Sequence, residues 1–580
     1  MITVSGIRRV ALFLACLAAV LWLQLAASTQ SHPAPYDVLI TGGHIVDGTG
    51  APWFRADLAI SGDRIRAIGD LAGLPARSDI DATGLVVAPG FIDMLGQSEF
   101  NVLVDPRAAS KLMQGITTEI TGEGTSIAPL NDRMIQAAKP AWDHFGVVAD
   151  FRTLAGYFER LEHRSQPAIN IATFVGAGGV RDHVIGRQDR AATPDELEQM
   201  KGLVAQAMEE GALGLSTSLQ YVPDRFASTD EIVELAKVAR RYGGVYLTHQ
   251  RSESGRIFES MDEVFAVAER ADIPAEIWHL KTAYKANWGR MPEVLRRIED
   301  ARARGLDITA NQYPYTRASN DLDACLPLWV REGSEQEMIQ RLKDPALRER
   351  IKREMDDPNV QAWENQWYGS GGGDGVMVSS VLNERLRPYE GLTLAEVGRQ
   401  MGKDPRDALM DLVIADNGDT ACIIAIMTEE DVRAALRHPL VSIDTDSGAK
   451  AEDGPLSVSR SHPRAWGTFP RILGKYVRDE RLLTLEEAVR KMTSRAATRV
   501  GLHDRGILRP GMAADVTIFD PATIRDVATF ADPNHYSIGV RYVIVNGRLV
   551  VAGERITGER PGRPLRGPGY RSSPQAARVR

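Results

Sequence analysis

The sequence predicts an α/β fold: repeated β–α units closed as a (β/α)8 TIM-type barrel, with a small β-sandwich domain formed from both chain ends. Three observations carry this. Helix starts alternate with short buried strands through the middle of the chain, and alternating apolar strands between glycine-rich turns occur at both ends. Polar residues with metal-binding chemistry stand directly after the strands.

The first observation rests on helix-start chemistry. In Thr193-Pro194-Asp195-Glu196, Thr193 is an N-cap, Pro194 occupies the first helical position and Glu196 stands three residues after the cap. Ser228-Thr229-Asp230-Glu231 repeats the signal before Ile232 to Arg241. Each helix leads into a strand-like run, Gly214-Leu215-Ser216-Thr217 and then Val245-Tyr246-Leu247-Thr248. Ala275-Glu276-Ile277-Trp278 and Leu306-Asp307-Ile308-Thr309 keep the rhythm. Such spacing implies a parallel sheet, and by itself it fits a barrel or a doubly wound sheet. No glycine-rich phosphate loop follows the first strand, which argues against nucleotide binding. Residues 319–419 exceed one β–α unit and read as an insertion, partly helical from Ser334 to Met355, with a loose loop at Gly369-Ser370-Gly371-Gly372-Gly373-Asp374.

The second observation assigns the chain ends. Tyr36 to Ile40, His44 to Gly48, Ala56 to Ile60 and Arg64 to Ile68 alternate between tight turns, as do Ala514 to Phe519 and Tyr542 to Gly547. Residues 36–92 and 500–566 are therefore expected to form the β-sandwich domain, with the barrel spanning 93–499. From Pro561 the sequence turns to Pro, Gly, Arg and Ser, and 567–580 is expected to be a flexible tail.

Composition narrows the function. The 580 residues are 43% hydrophobic and carry a formal charge of −8, with the two signs mixed. A core of ordinary size follows, and nucleic-acid binding is disfavoured for want of a concentrated basic face. Arg8 and Arg9 precede an apolar run from Val10 to Ala27, and Ala26-Ala27-Ser28 offers a signal-peptidase site. Residues 1–28 thus read as a signal peptide, giving a periplasmic or secreted protein whose mature chain begins near Thr29. Left uncleaved, the run would be a membrane anchor, the one case in which a membrane is a partner. Cys325 and Cys422 stand in apolar surroundings, which predicts buried free thiols and not a disulfide framework.

The third observation concerns chemistry. In barrels the reactive side chains follow the strands. Glu123 follows Ile116 to Thr121 on the turn Gly122-Glu123-Gly124, His249 follows Val245 to Thr248, and His279 follows Ile277-Trp278. Asp446 stands in Asp444-Thr445-Asp446-Ser447-Gly448 after Val441-Ser442-Ile443. Two imidazoles and a carboxylate make a common zinc shell with a position left for water. A further carboxylate there serves as proton acceptor. Singly, each has a bland reading as a cap, turn or satisfied polar residue; their joint placement at successive strand ends favours a metal site.

From Tyr36 to about Arg566 the chain resembles the amidohydrolase superfamily, and within it the N-acyl-D-amino-acid deacylases (D-aminoacylases). The marks are Ala88-Pro89-Gly90-Phe91-Ile92-Asp93, Gln114-Gly115-Ile116-Thr117-Thr118, Thr248-His249-Gln250-Arg251-Ser252-Glu253, Trp278-His279-Leu280-Lys281, Tyr313-Pro314-Tyr315 and the block from His462 to Arg471. Pro510-Gly511-Met512-Ala513-Ala514-Asp515 is shared more widely.

The resemblance implies a barrel with a β-sandwich and metal-assisted hydrolysis of an N-acyl-amino acid, with the D configuration expected. The small-molecule substrate would yield a carboxylate and a free amino acid. It also implies that Asp446 moves the proton and that Lys281, Tyr313 and Arg464 orient the substrate carboxylate. The chain departs from the family where His-x-His normally follows Gly-Phe-Ile-Asp, because Leu95 and Gln97 stand there. Aligning on Ser126-Ile127-Ala128-Pro129 puts Glu123 where D-aminoacylases resemble one another in a ligand cysteine. The expected cofactor is accordingly one divalent metal, expected to be Zn2+, held by Glu123, His249 and His279. The related N-acetylglucosamine-6-phosphate deacetylases include members without His-x-His that hold one metal with a Glu and two His. Two alternatives stay open: hydrolysis of another amide or ester (a dipeptide, cyclic imide or lactone), and an inactive barrel used for binding.

Overall fold

The computed structural model describes residues 36–360, 363–457 and 460–571. Eight parallel strands form the barrel. They are β1 (Phe91–Asp93), β2 (Ile116–Thr121), β3 (Asn170–Thr173, continued by Val175–Gly176 after Phe174), β4 (Gly214–Ser218), β5 (Val245–His249), β6 (Ala275–Ile277), β7 (Ile308–Gln312) and β8 (Val441–Ile443). Neighbours in sequence pair as neighbours in space. The ring closes where Met94 N–H donates to Ile443 O at 3.3 Å and Gly96 bridges Ser447 in parallel. The spacing that also fitted a doubly wound sheet therefore resolves as a closed barrel.

The helix starts read in the sequence are present. Pro194–Glu210 begins with Thr193 and Glu196 in a reciprocal capping box, and Thr229–Arg241 is capped by the Ser228 hydroxyl. Each helix turns an apolar face onto the strands, and Ile232, Val233 and Ala236 are fully buried. A separate apolar cluster drawn from Ile92, Leu95, Ile120, Ala172, Phe174, Leu247 and Trp278 packs at the strands themselves.

The chain ends join in one sheet of nine strands around its own core of Ile40, Leu58, Ile60, Val87, Val516 and Ile544. Here one expectation is corrected. Tyr36 to Ile40 and His44 to Gly48 are not two strands about a turn, because Val38–Ile45 is a single strand whose register shifts between Ile40 and Gly43. Gly42, with φ 71°, supplies the irregularity, and its N–H is taken by Asp57 Oδ1 at 2.8 Å. The insertion is real but longer than 319–419. Arg317–Asp321, Val376–Ser380 and Ala421–Ala425 make a three-strand antiparallel sheet between β7 and β8.

The expected tail is also corrected. Gly562, Leu565, Gly567 and Arg571 donate backbone hydrogen bonds to Pro167, Ile171, Gly211 and Glu209, so the chain stays docked along the barrel to residue 571. The segment expected to be a signal peptide (1–28) and residues 572–580 lie outside the described residues. Among the described residues no helix is long and apolar enough to cross a membrane. Cys325 and Cys422 are free and buried, and beside each other: the contact with Cys325, with burial, pushes the Cys422 thiol up.

Candidate active site

The residues singled out at strand ends converge on one cavity of about 530 Å³. Glu123 is fixed by its two glycines. Gly122 and Gly124 have φ of 94° and 61°. A Cβ on Gly122 would come within 2.6 Å of the Phe174 carbonyl, and one on Gly124 would strike the Ser218 side chain. His249 is the last residue of β5, and His279 stands two residues past β6.

His279 and Asp446 share a costly backbone: both are left-handed, with φ of 36° and 43°. For a residue with a Cβ this costs roughly 1–2 kcal/mol, and such strain gathers at functional sites. Each is held in place by a neighbour. The His279 N–H donates to Asn311 Oδ1 at 2.6 Å, and the Asp446 N–H donates to Leu95 O at 2.8 Å.

The donor set fits a divalent metal. Glu123 Oε1 lies 3.1 Å from His249 Nδ1 and 3.0 Å from His279 Nε2. These three ligand atoms all lie within 4.8 Å of one another. The other nitrogen of each ring is engaged elsewhere: His249 Nε2 meets Gln220 Oε1 at 2.7 Å, and His279 Nδ1 lies 2.6 Å from Lys281 Nζ and 3.1 Å from Glu253 Oε1. Burial alone would raise the Glu123 carboxyl, but its hydrogen bonds to the two imidazoles outweigh that and hold it well below the usual range. It is therefore an anion, as a ligand must be.

The match to known proteins agrees with this geometry. Residues 428–551 match the model of the amidohydrolase family. The D-aminoacylase of Alcaligenes xylosoxydans xylosoxydans is 35% identical over 93% of this chain and 99% of its own length. An N-acyl-D-glutamate deacylase from Bordetella bronchiseptica, solved with zinc and a phosphonate mimic of the tetrahedral intermediate, is 32% identical. It covers 92% of this chain and 100% of its own, with a TM-score of 0.76. A D-aminoacylase structure described for its binuclear metal centre matches with the same TM-score of 0.76 and coverage (92% and 100%) at 34% identity. The chain belongs to the D-aminoacylase family of amidohydrolases.

In this amidohydrolase the His-x-His positions have different occupants. Leu95 is fully buried in the apolar cluster at the barrel strands. Gln97 stands at the cavity, where its Nε2 donates to Glu123 Oε2 at 2.6 Å. One carboxylate oxygen thus faces the imidazoles and the other is held by an amide.

The expected substrate-orienting residues are brought together, but not equivalently. Lys281 and Arg464 line the cavity. Tyr313 is fully buried and off the cavity wall, with the Arg464 guanidinium 4.6 Å and the Lys281 ammonium 5.5 Å from its ring centre. Arg464 Nη1 lies 2.8 Å from Asp446 Oδ2, an ion pair without hydrogen-bond alignment, and its Nε and Nη1 have no hydrogen-bond partner. Asp446 lines the cavity and Asp444 does not. Both Asp444 carboxylate oxygens are buried without a partner, and burial, with the nearby Asp446 charge, raises its carboxyl well above the usual range.

Sequence reasoning passed over Glu253 and Gln220 as site residues. Glu253 is buried and takes Lys281 Nζ at 2.8 Å as well as His279 Nδ1. Its only signal was its place in the block Thr248 to Glu253, close in sequence after His249.

Proposed function

We propose that this amidohydrolase is an exported N-acyl-D-amino-acid deacylase using a single divalent ion, with zinc the favoured metal. The observation that carries the reading is the meeting, in one cavity, of the Glu123–His249–His279 donor set with Asp446 and an under-bonded arginine. A divalent ion held by those three residues would supply Lewis acidity, bringing the pKa of water to about 7 and polarising an amide carbonyl. Everything else is done by the chain's own groups.

Arg464 binds the substrate carboxylate through its free guanidinium edge, aided by Lys281 and seated on the Tyr313 ring. Asp446 accepts a proton from the attacking water and returns it to the leaving nitrogen. Its ion pair with Arg464 ties proton transfer to carboxylate binding, since the same guanidinium meets both. Glu253 holds the Lys281 ammonium and the His279 ring, so the carboxylate-binding and metal-binding sides share one anchor. A single ion is proposed because Leu95 has no donor and Gln97 already holds the second oxygen of Glu123. The D configuration is supported by the relatives' activities, and export by Arg8, Arg9 and the apolar run to Ala27.

The test joins metal analysis to a substrate panel. Protein purified from the periplasm or medium, with a mature N-terminus near Thr29, should hold about one divalent ion per chain and release amino acid from N-acetyl-D-amino acids faster than from their L enantiomers. Two tightly held ions per chain would refute the single-ion site. Metal-loaded protein that turns over neither enantiomer of any substrate would refute the deacylase reading.

A further inference from the structure

The positive groups of the cavity differ in what they already hold. Lys281 is taken by Glu253 at 2.8 Å, and Arg464 faces Asp446 at 2.8 Å. Lys450, four residues beyond Asp446, lines the same cavity. Its ammonium has no hydrogen bond or ion pair to any described residue. Burial pushes that ammonium down, and no carboxylate acts to raise it.

The backbone around Lys450 is pinned, which makes the placement of its side chain a property of the loop. Its carbonyl accepts from Ser110 N–H at 2.9 Å and its own N–H donates to Ser110 Oγ at 2.9 Å. Asn101 Nδ2 donates to the preceding Ala449 carbonyl at 2.9 Å. Nearby in sequence, Arg460 also lines the cavity and donates to the Ala531 backbone carbonyl at 3.2 Å, with the Glu390 carboxylate within reach of its charge, so it differs from Lys450 in having an acid beside it. An ammonium drawn out of bulk water without a counter-charge weakens a fold. Such a group at a cavity wall points to an anion brought by the ligand.

We propose that Lys450 forms a subsite for a second anionic group on the substrate, beyond the amino-acid carboxylate met by Arg464 and Lys281. That anion is a carboxylate either on the amino-acid side chain or on the acyl group. This inference rests on the deacylase reading for the name of the substrate, but not for the existence of the subsite.

The experiment measures kcat/KM of the metal-loaded enzyme for N-acetyl-D-leucine, N-acetyl-D-glutamate, N-acetyl-D-aspartate and N-succinyl-D-leucine. At least one dianionic substrate should exceed N-acetyl-D-leucine by about 10–100-fold, the value of a charge-assisted hydrogen bond. Which one does so says whether the anion sits on the side chain or on the acyl group. Lys450→Ala should collapse that ratio, and Lys450→Arg should restore most of it. A merely structural lysine would lower all substrates in parallel. A preference for the monoanionic N-acetyl-D-leucine, or a ratio that Lys450→Ala leaves alone, overturns the subsite. Should no substrate be hydrolysed, the deacylase reading falls by itself, and calorimetric binding then decides the subsite. Wild type must bind N-acetyl-D-glutamate, N-acetyl-D-aspartate or N-succinyl-D-leucine more tightly than N-acetyl-D-leucine, and Lys450→Ala must lose the difference; equal binding of all four by wild type overturns it.

Discussion

At the scale of single residues, Asp446 and Asp444 show how two like side chains acquire different tasks. β8 ends at Ile443, and the left-handed turn at Asp446 sends the two carboxylates to different surroundings. Asp446 reaches the cavity beside Arg464, while Asp444 is sealed, and burial with the nearby Asp446 charge raises its carboxyl well above the usual range. Asp446→Asn should therefore slow turnover by about 10²–10⁴-fold while bound metal, read by elemental analysis, stays near the wild-type level. Asp444→Asn, at a side chain that does not reach the cavity, should cost far less. Near-normal turnover by Asp446→Asn would refute its role as the proton carrier. The convergence of Glu123, His249, His279 and Asp446 on one cavity was legible in the sequence because each stands at or just past a strand end, where periodicity announces the position. Glu253, Gln220 and Lys450 were not, because their meaning comes from what the closed barrel sets beside them. No local pattern marks a glutamate as the partner of a lysine 28 residues away.

Among elements, the join between β1, β2 and the loop after β8 depends on one buried ammonium. Lys111 Nζ reaches Asp93 Oδ2 at 2.8 Å, Thr445 Oγ1 at 2.7 Å and the Ser447 carbonyl at 2.6 Å, with Glu119 Oε1 at 3.6 Å. Asp93 in turn accepts from the Thr445 N–H at 2.8 Å, which fixes the residue before Asp446. Lys111→Met would leave two buried carboxylates without their cation, at a cost of about 3–5 kcal/mol in urea unfolding. The exposed pair Lys139–Asp143 is the comparison: Lys139→Met should cost well under 1 kcal/mol. A Lys111→Met loss no larger than that of Lys139→Met would mean that the network holds nothing together. Element boundaries show where the sequence was ambiguous. Ala421–Ala425 has the apolar run of a barrel strand, yet it pairs antiparallel inside the insertion. Thr41-Gly42-Gly43 has the composition of a turn, yet it is an irregularity within one strand. In both cases pairing partners far along the chain decide between readings that the local sequence leaves equal.

For the whole molecule, the stretch from Gly562 to Arg571 ties the end of the chain to the barrel. Leu565 is buried, Arg566 pairs with Glu162 at 2.8 Å, and the backbone hydrogen bonds of Gly562 to Arg571 run along strand β3 and the helix that ends at Glu210. Truncation after Arg571 should leave stability alone. Truncation after Arg560 should cost about 2–3 kcal/mol, from one buried leucine and the hydrogen bonds left open, seen as a lower thermal midpoint. Equal midpoints for the two truncations would show that the docked segment contributes nothing. Composition alone could not reveal this docking, since a polar, proline-rich segment can be held by backbone hydrogen bonds that side-chain character does not announce. The insertion between β7 and β8 has a wider consequence. Ser319, Asn320, Ser380 and Ile424 form part of the cavity wall, whereas Glu123, His249, His279 and Asp446 all come from the barrel. One part of the cavity wall is thus encoded apart from the strand-end residues, so drift in the insertion can reshape the pocket while Glu123, His249, His279 and Asp446 are inherited intact.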